Sequence, residues 1–152
     1  MNTIYLALGS NLGDREQWLE TAIQYLSDTP EISIENISPF IETKAVGSLT
    51  QPDFINAALK ATTLFTPQEL LAYCEDIEKK CGRQSKGDYT PRNIDIDILF
   101  YDTEFISEEN LQIPHPLIQD RTFVLEPLNA IAPEFIHPSY DKSISALLEE
   151  LQ

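Results

Sequence analysis

Asp95 and Asp97 stand two apart in the run Asn93-Ile94-Asp95-Ile96-Asp97-Ile98-Leu99-Phe100-Tyr101. Successive side chains of a strand point to opposite faces, so the two aspartates share one face and Ile94, Ile96 and Ile98 share the other. Aspartate is disfavoured in strands, and two in a strand that reads as buried need a compensating partner. A divalent cation would serve: Mg²⁺ takes carboxylate oxygens, keeps several waters and fills its remaining positions from phosphates. The plain alternative is an edge strand with a solvated acidic face.

Cationic side chains gather near this strand. The chain has four arginines, Arg15, Arg83, Arg92 and Arg121, and three of them fall around Asp95 and Asp97. Arg83 and Arg92 bracket a polar stretch, where the planar guanidinium fork suits bidentate phosphate binding and charge stabilisation in phosphoryl transfer. Two solvated loop arginines would look the same. His115, in Ile113-Pro114-His115-Pro116, reads alone as a structural histidine or a ligand contact. Phe54 and Phe123 read as core, and Glu78 as surface.

The elements that must position these residues follow from periodicity. Ile4, Leu6 and Leu8 alternate, so residues 3–9 read as a strand, followed by a turn at Gly9-Ser10-Asn11-Leu12-Gly13. Asp14 and Gln17 make a capping pattern for a helix over 14–27, with Trp18, Leu19, Ala22, Ile23 and Leu26 as its stripe. Ile32, Ile34 and Ile37 suggest a second strand, and 42–53 reads as a loop. A third strand runs over 54–64, with Phe54, Asn56, Ala58 and Lys60 on one face. Thr66-Pro67-Gln68-Glu69 starts a second helix, with Leu70, Cys74, Ile77 and Cys81 as its apolar face and Gly82 as its stop. Residues 83–92 read as a second long loop. After the Asp95–Asp97 strand come a hairpin over 104–113, a helix capped by Thr122 and interrupted by Pro127, and a last helix capped by Ser143.

The order β-α-β-β-α-β with C-terminal additions predicts a ferredoxin-like α+β sandwich: an antiparallel sheet with helices on one face. The helix-free face would carry Asp95, Asp97, Phe54 and Asn56. At 152 residues the chain reads as a single domain spanning 1–152. A net charge of −15 argues against nucleic acid or an anionic membrane surface as partner, but not against a small anionic substrate met by a few placed cations. No signal peptide opens the chain and no apolar run is long enough to span a bilayer. Cys74 and Cys81, seven apart, would lie roughly 10 Å from each other along a helix, beyond disulfide reach, and read as core thiols of a cytoplasmic protein.

A Gly-Ser turn joined to a D-x-D strand also occurs in nucleotidyltransferases, but there the two lie close in sequence, whereas 85 residues separate Ser10 from Asp95 here. Several segments together resemble the 6-hydroxymethyl-7,8-dihydropterin pyrophosphokinase family of folate synthesis. They are Leu8-Gly9-Ser10-Asn11-Leu12-Gly13, Gln51-Pro52-Asp53-Phe54-Ile55-Asn56-Ala57-Ala58, Gly82-Arg83, Pro91-Arg92-Asn93-Ile94-Asp95-Ile96-Asp97-Ile98-Leu99, and Pro114-His115-Pro116 with Arg121 and Phe123. The likeness covers nearly the whole chain.

The resemblance implies transfer of the terminal diphosphate of ATP to the pterin hydroxymethyl group, releasing AMP. By position it implies that Asp95 and Asp97 hold two Mg²⁺ ions and that Arg83 and Arg92 serve the transfer. Glu78, Tyr89, Ile98, His115 and Arg121 match ATP-contacting positions. Phe54 and Phe123 would sandwich the pterin, Asn56 would read its ring edge, and Thr43 and Val46 would contact it through the backbone. The expected partners are the two small substrates only, with the chain a monomer. The chain departs from the family pattern at Tyr89-Thr90, where Trp-Gly is usual, at Ser85 and Asn110, which replace basic residues, and at Lys44-Ala45, which replaces prolines. Alternatives from other classes are a metal-dependent nucleotidyltransferase on another fold and a non-catalytic ferredoxin-like module binding a small ligand.

Overall fold

The computed structural model describes residues 1–11, 13–43, 53–82 and 93–152, with only the backbone of Thr43. Its sheet is built from β1 (Asn2–Ser10), β2 (Ile32–Ile37), β3 (Ile41–Thr43), β4 (Phe54–Thr63) and β5 (Asp95–Tyr101). The order β2-β4-β1-β5 is antiparallel throughout, and β3 continues the β2 edge alongside the start of β4. This is the expected ferredoxin-like arrangement.

Helices α1 (Arg15–Ser27) and α2 (Pro67–Lys80) cover one face. Leu19, Ala22 and Leu26 of α1 and Leu70, Cys74 and Ile77 of α2 pack on Ile4, Leu6, Leu8, Leu59, Ile96 and Ile98. Both helices start as their sequences dictate. The Asp14 carboxylate accepts from the Gln17 N–H, and Thr66 with Glu69 forms a complete capping box ahead of Pro67. Cys74 and Cys81 are buried and form no disulfide. Burial pushes the Cys81 thiol up, and the nearby Glu78 adds to that.

Of the C-terminal additions, the last two helices lie on the opposite face, whereas Leu111 and Ile113 of the hairpin over 106–113 join the core under α1 and α2. The hairpin β6 (Ile106–Glu108) and β7 (Leu111–Ile113) turns at Glu109-Asn110 and leads through one 3₁₀ turn, Ile118–Asp120, into α3 (Thr122–Ile131). A short hairpin, β8 (Ile136–His137) with β9 (Lys142–Ser143), precedes α4 (Ile144–Leu151). Val124, Leu125 and Leu128 of α3 and Ile144 and Leu147 of α4 pack against Tyr5, Ala58, Leu99 and Phe100. Part of the face that the βαββαβ unit leaves bare is therefore covered.

Several local expectations are corrected. β1 runs on through Gly9 and Ser10, so the turn belongs to Gly13, at φ 66°. β3 reaches into the stretch expected to be loop, because Ile41–Thr43 pairs with Phe54–Asn56. Arg121, not Thr122, stands at the head of α3, its carbonyl accepting from Val124 and Leu125. Pro127 does not end α3. The missing N–H removes one intrahelical bond, and burial of Leu125, Pro127 and Leu128 offsets it.

Candidate active site

Residues paired across an antiparallel sheet lie on one face. Gly9 of β1 pairs with Asn56 on one side and Asp95 on the other. The next row joins Ala58, Ala7 and Asp97. The Asp95 and Asp97 side chains therefore project from the same face as Asn56 and Phe54, and not from the face under α1 and α2. Both aspartates are half-buried at the open end of this face, while Asn56 is 7% exposed.

Gly9 makes the close approach possible. A Cβ built on it would stand 2.8 Å from Asn56 Oδ1 and 3.5 Å from Phe54 Cδ1. The amide and the ring thus lean over the bare backbone of β1. From sequence alone Gly9 reads as a turn residue. The signal was there, because a glycine continuing the Ile4-Leu6-Leu8 alternation marks a site of close approach within a strand.

The outer edge of β5 is capped in two places. The buried Glu78 carboxylate accepts the Ile96 N–H at 2.8 Å. The His115 N–H donates to the Leu99 carbonyl at 3.0 Å. Glu78 is 2% exposed, which corrects its reading as a surface residue. Ile98 is 5% exposed with its side chain in the core under α1 and α2, so it can offer a ligand only backbone groups. His115 Nδ1 accepts the Leu117 N–H at 3.2 Å, so a neutral ring carries its proton on Nε2.

Arg121 and Phe123 arrive together from the head of α3, with the guanidinium 5.4 Å above the ring. Phe123 is half-buried against the second core cluster, on the same side of the sheet as Phe54 and Asn56. Thr43 pairs with Phe54 through the backbone. Val46, Arg83, Tyr89 and Arg92 lie outside the described residues. The roots of their segments are nevertheless tied. Arg15 reaches Glu42 at 3.1 Å and the Asp53 carbonyl at 2.6 Å, bridging the two ends of 44–52. The Asn93 amide donates to the Cys81 carbonyl, bridging the two ends of 83–92. Neither tie is evident from sequence spacing.

Among the described residues no three His, Cys, Asp or Glu side chains converge as a closed metal cage. Asp95 and Asp97 offer two carboxylates on one face of the sheet. That donor set suits a cation that takes its other ligands from water and phosphate. No helix among the described residues is long and apolar enough to cross a membrane.

Comparison with known proteins agrees with this geometry. The model of the 7,8-dihydro-6-hydroxymethylpterin-pyrophosphokinase (HPPK) family matches residues 5–133. The chain is 44% identical over 150 residues to the 2-amino-4-hydroxy-6-hydroxymethyldihydropteridine pyrophosphokinase of Aquifex aeolicus, covering 99% of this chain and 92% of that protein. It is 47% identical over 128 residues to the bifunctional protein FolKE of Lactococcus lactis subsp. cremoris, covering 84% of this chain but only 37% of that longer protein. A Plasmodium falciparum HPPK-DHPS structure with pteroate superposes with a TM-score of 0.77 at 16% identity, covering 98% of this chain and 44% of that one. The last likeness is one of fold alone. With the family match over most of the length and a relative of nearly equal size, the chain belongs to the 7,8-dihydro-6-hydroxymethylpterin pyrophosphokinase family.

Proposed function

We propose that this chain transfers the diphosphate of ATP to 6-hydroxymethyl-7,8-dihydropterin, giving AMP and the pterin diphosphate for folate biosynthesis. The observation that carries the reading is the row Asn56–Gly9–Asp95. It sets a buried amide suited to a pterin edge and a carboxylate suited to a metal–phosphate complex on either side of a bare backbone.

In this reading Phe54 and Phe123 enclose the pterin ring, Asn56 hydrogen-bonds its edge, and Thr43 and Val46 contribute backbone groups. Asp95 and Asp97 would hold two Mg²⁺ ions, which when bound supply charge neutralisation for the triphosphate. Outward N–H groups recur at every second residue of an edge strand, so Ile98 offers its own N–H between the capped positions Ile96 and Leu99. That edge is the place for the adenine, with Glu78 and His115 fixing it and Tyr89 and Arg121 adding contacts. Arg83 and Arg92, at the ends of the segment whose roots the Asn93–Cys81 hydrogen bond ties, neutralise charge during transfer. The alcohol oxygen bonds to the β-phosphorus as the bridge to the α-phosphorus breaks. AMP leaves with the bonding electron pair, and the alcohol proton passes to solvent.

The chain 1–152 would act as one cytoplasmic, monomeric domain on two small substrates, without nucleic-acid or membrane partners. A net charge of −15 supports the last point. The test is AMP formation from MgATP with the pterin alcohol present and absent, and again with the metal chelated. Pterin-dependent, chelator-sensitive AMP is expected. AMP at background level with both substrates present would sink the reading.

A further inference from the structure

Gly9 is not needed for its backbone. Among the described residues the glycines at positive φ are Gly13 and Gly82, so Gly9 holds a conformation open to any residue. Glycine inside a strand weakens it by about 0.5–1 kcal/mol relative to alanine. Its requirement here is space: the Asn56 amide and the Phe54 ring lean in from β4, while on the β5 side no atom stands within 3.8 Å of where a Cβ would be.

Neighbouring strands run about 4.8 Å apart, so Asn56 and Asp95, one strand to each side of Gly9, are separated by roughly 10 Å. A pterin read by Asn56 and stacked on Phe54 lies over β4. A triphosphate neutralised at Asp95 and Asp97 lies over β5. Reacting atoms must approach to about 3–3.5 Å, and two groups held over β4 and β5 can do so only between them, above β1. The residue of β1 in that row is Gly9.

We infer that Gly9 is a positioning residue whose missing side chain keeps clear the floor on which the pterin alcohol meets the β-phosphorus. The inference rests on the proposed reaction. A methyl group there lifts the acceptor off the line of attack, and a displacement near 1 Å can cost about 100-fold. It also meets Asn56 Oδ1 at 2.8 Å, so a Gly9 variant acts by two routes that must be separated.

The experiment compares wild type, Gly9→Ala, Asn56→Ala and the double variant. Truncating Asn56 removes the clashing oxygen, so the double variant gives the new methyl room even if Gly9→Ala alone does not fold. Thermal melts check folding, calorimetry with Mg²⁺ and a non-hydrolysable ATP analogue reads nucleotide affinity, and rapid-quench single turnovers at saturating pterin read transfer. The double variant should transfer roughly 10–100-fold more slowly than Asn56→Ala, with nucleotide affinity within about twofold, since the methyl touches neither aspartate. Equal transfer rates for those two variants, or an equal loss of nucleotide affinity and rate, overturn the inference. Absence of AMP with wild type would instead sink the proposed reaction, so the two failures are distinguishable.

Discussion

The carboxylate of Glu78 on α2 holds the backbone N–H of Ile96, the residue between Asp95 and Asp97, at 2.8 Å. One buried acid thereby fixes the edge of the strand whose opposite face carries the two aspartates. Glu78→Ala leaves that N–H without this acceptor, at a cost of about 1–3 kcal/mol. The strand edge then loosens and the spacing of the two carboxylates with it. We expect lower stability in urea and a higher Mg²⁺ requirement for AMP formation. Glu78→Gln, whose amide oxygen can still accept, should recover most of both. A stability loss with an unaltered Mg²⁺ requirement would limit Glu78 to a folding role.

Asp95→Asn and Asp97→Asn keep size and remove the charge that the proposed reading assigns to metal binding. Each should lower AMP formation by at least roughly 100-fold, the scale of losing metal-centred charge stabilisation. Melting temperatures should hold, because both side chains are half-exposed and project from the face opposite α1 and α2. Near-normal turnover in either variant with MgATP would refute the metal assignment.

The parts of the site that could be read from the sequence are those carried by period. The D-x-D alternation placed Asp95 and Asp97 on one face, and the 54–64 alternation placed Phe54 and Asn56 with them, as the register bears out. Long-range ties were invisible. Glu78 read as surface because its helix position is polar, and only the packing of α2 beside β5 shows that its carboxylate is consumed by a strand edge. Gly9 read as a turn because glycine favours turns, whereas pairing on both sides keeps it in the strand. α3 was placed correctly but its cap and its supposed break at Pro127 were not, since tertiary burial outweighs one lost hydrogen bond.

Phe123 is half-buried and carries Arg121 at 5.4 Å over its ring. Phe123→Ala should weaken pterin binding by about 1–3 kcal/mol through lost aromatic contact. MgATP affinity should fall by no more than the ~0.5–1 kcal/mol of an exposed cation–π contact. Calorimetry with each ligand separately decides this. Equal losses for both would make Phe123 a core residue and remove it from the proposed pterin site.

His137 supplies a pH dependence away from the site. It is 1% exposed, and its ring centroid lies 5.1 Å from that of Phe100 and 4.8 Å from that of Tyr140, both pairs edge to face. Its Nδ1 accepts the Ser139 N–H at 3.1 Å, so the neutral ring bears its proton on Nε2, which has no hydrogen-bond partner among the described residues. Desolvation lowers the pKa from the ordinary 6.5. The unfolded chain therefore binds this proton more readily than the folded one. The stabilisation is complete above pH 6.5 and is lost as pH falls from there through the folded value. For one proton the slope cannot exceed about 1.4 kcal/mol per pH unit. Urea melts between pH 5 and 7.5 should show wild-type stability rising with pH. His137→Asn, less stable overall but able to accept from Ser139, should show a flatter profile. Parallel profiles for the two proteins would assign the pH dependence to other groups and leave His137 a packing residue of the β8–β9 hairpin.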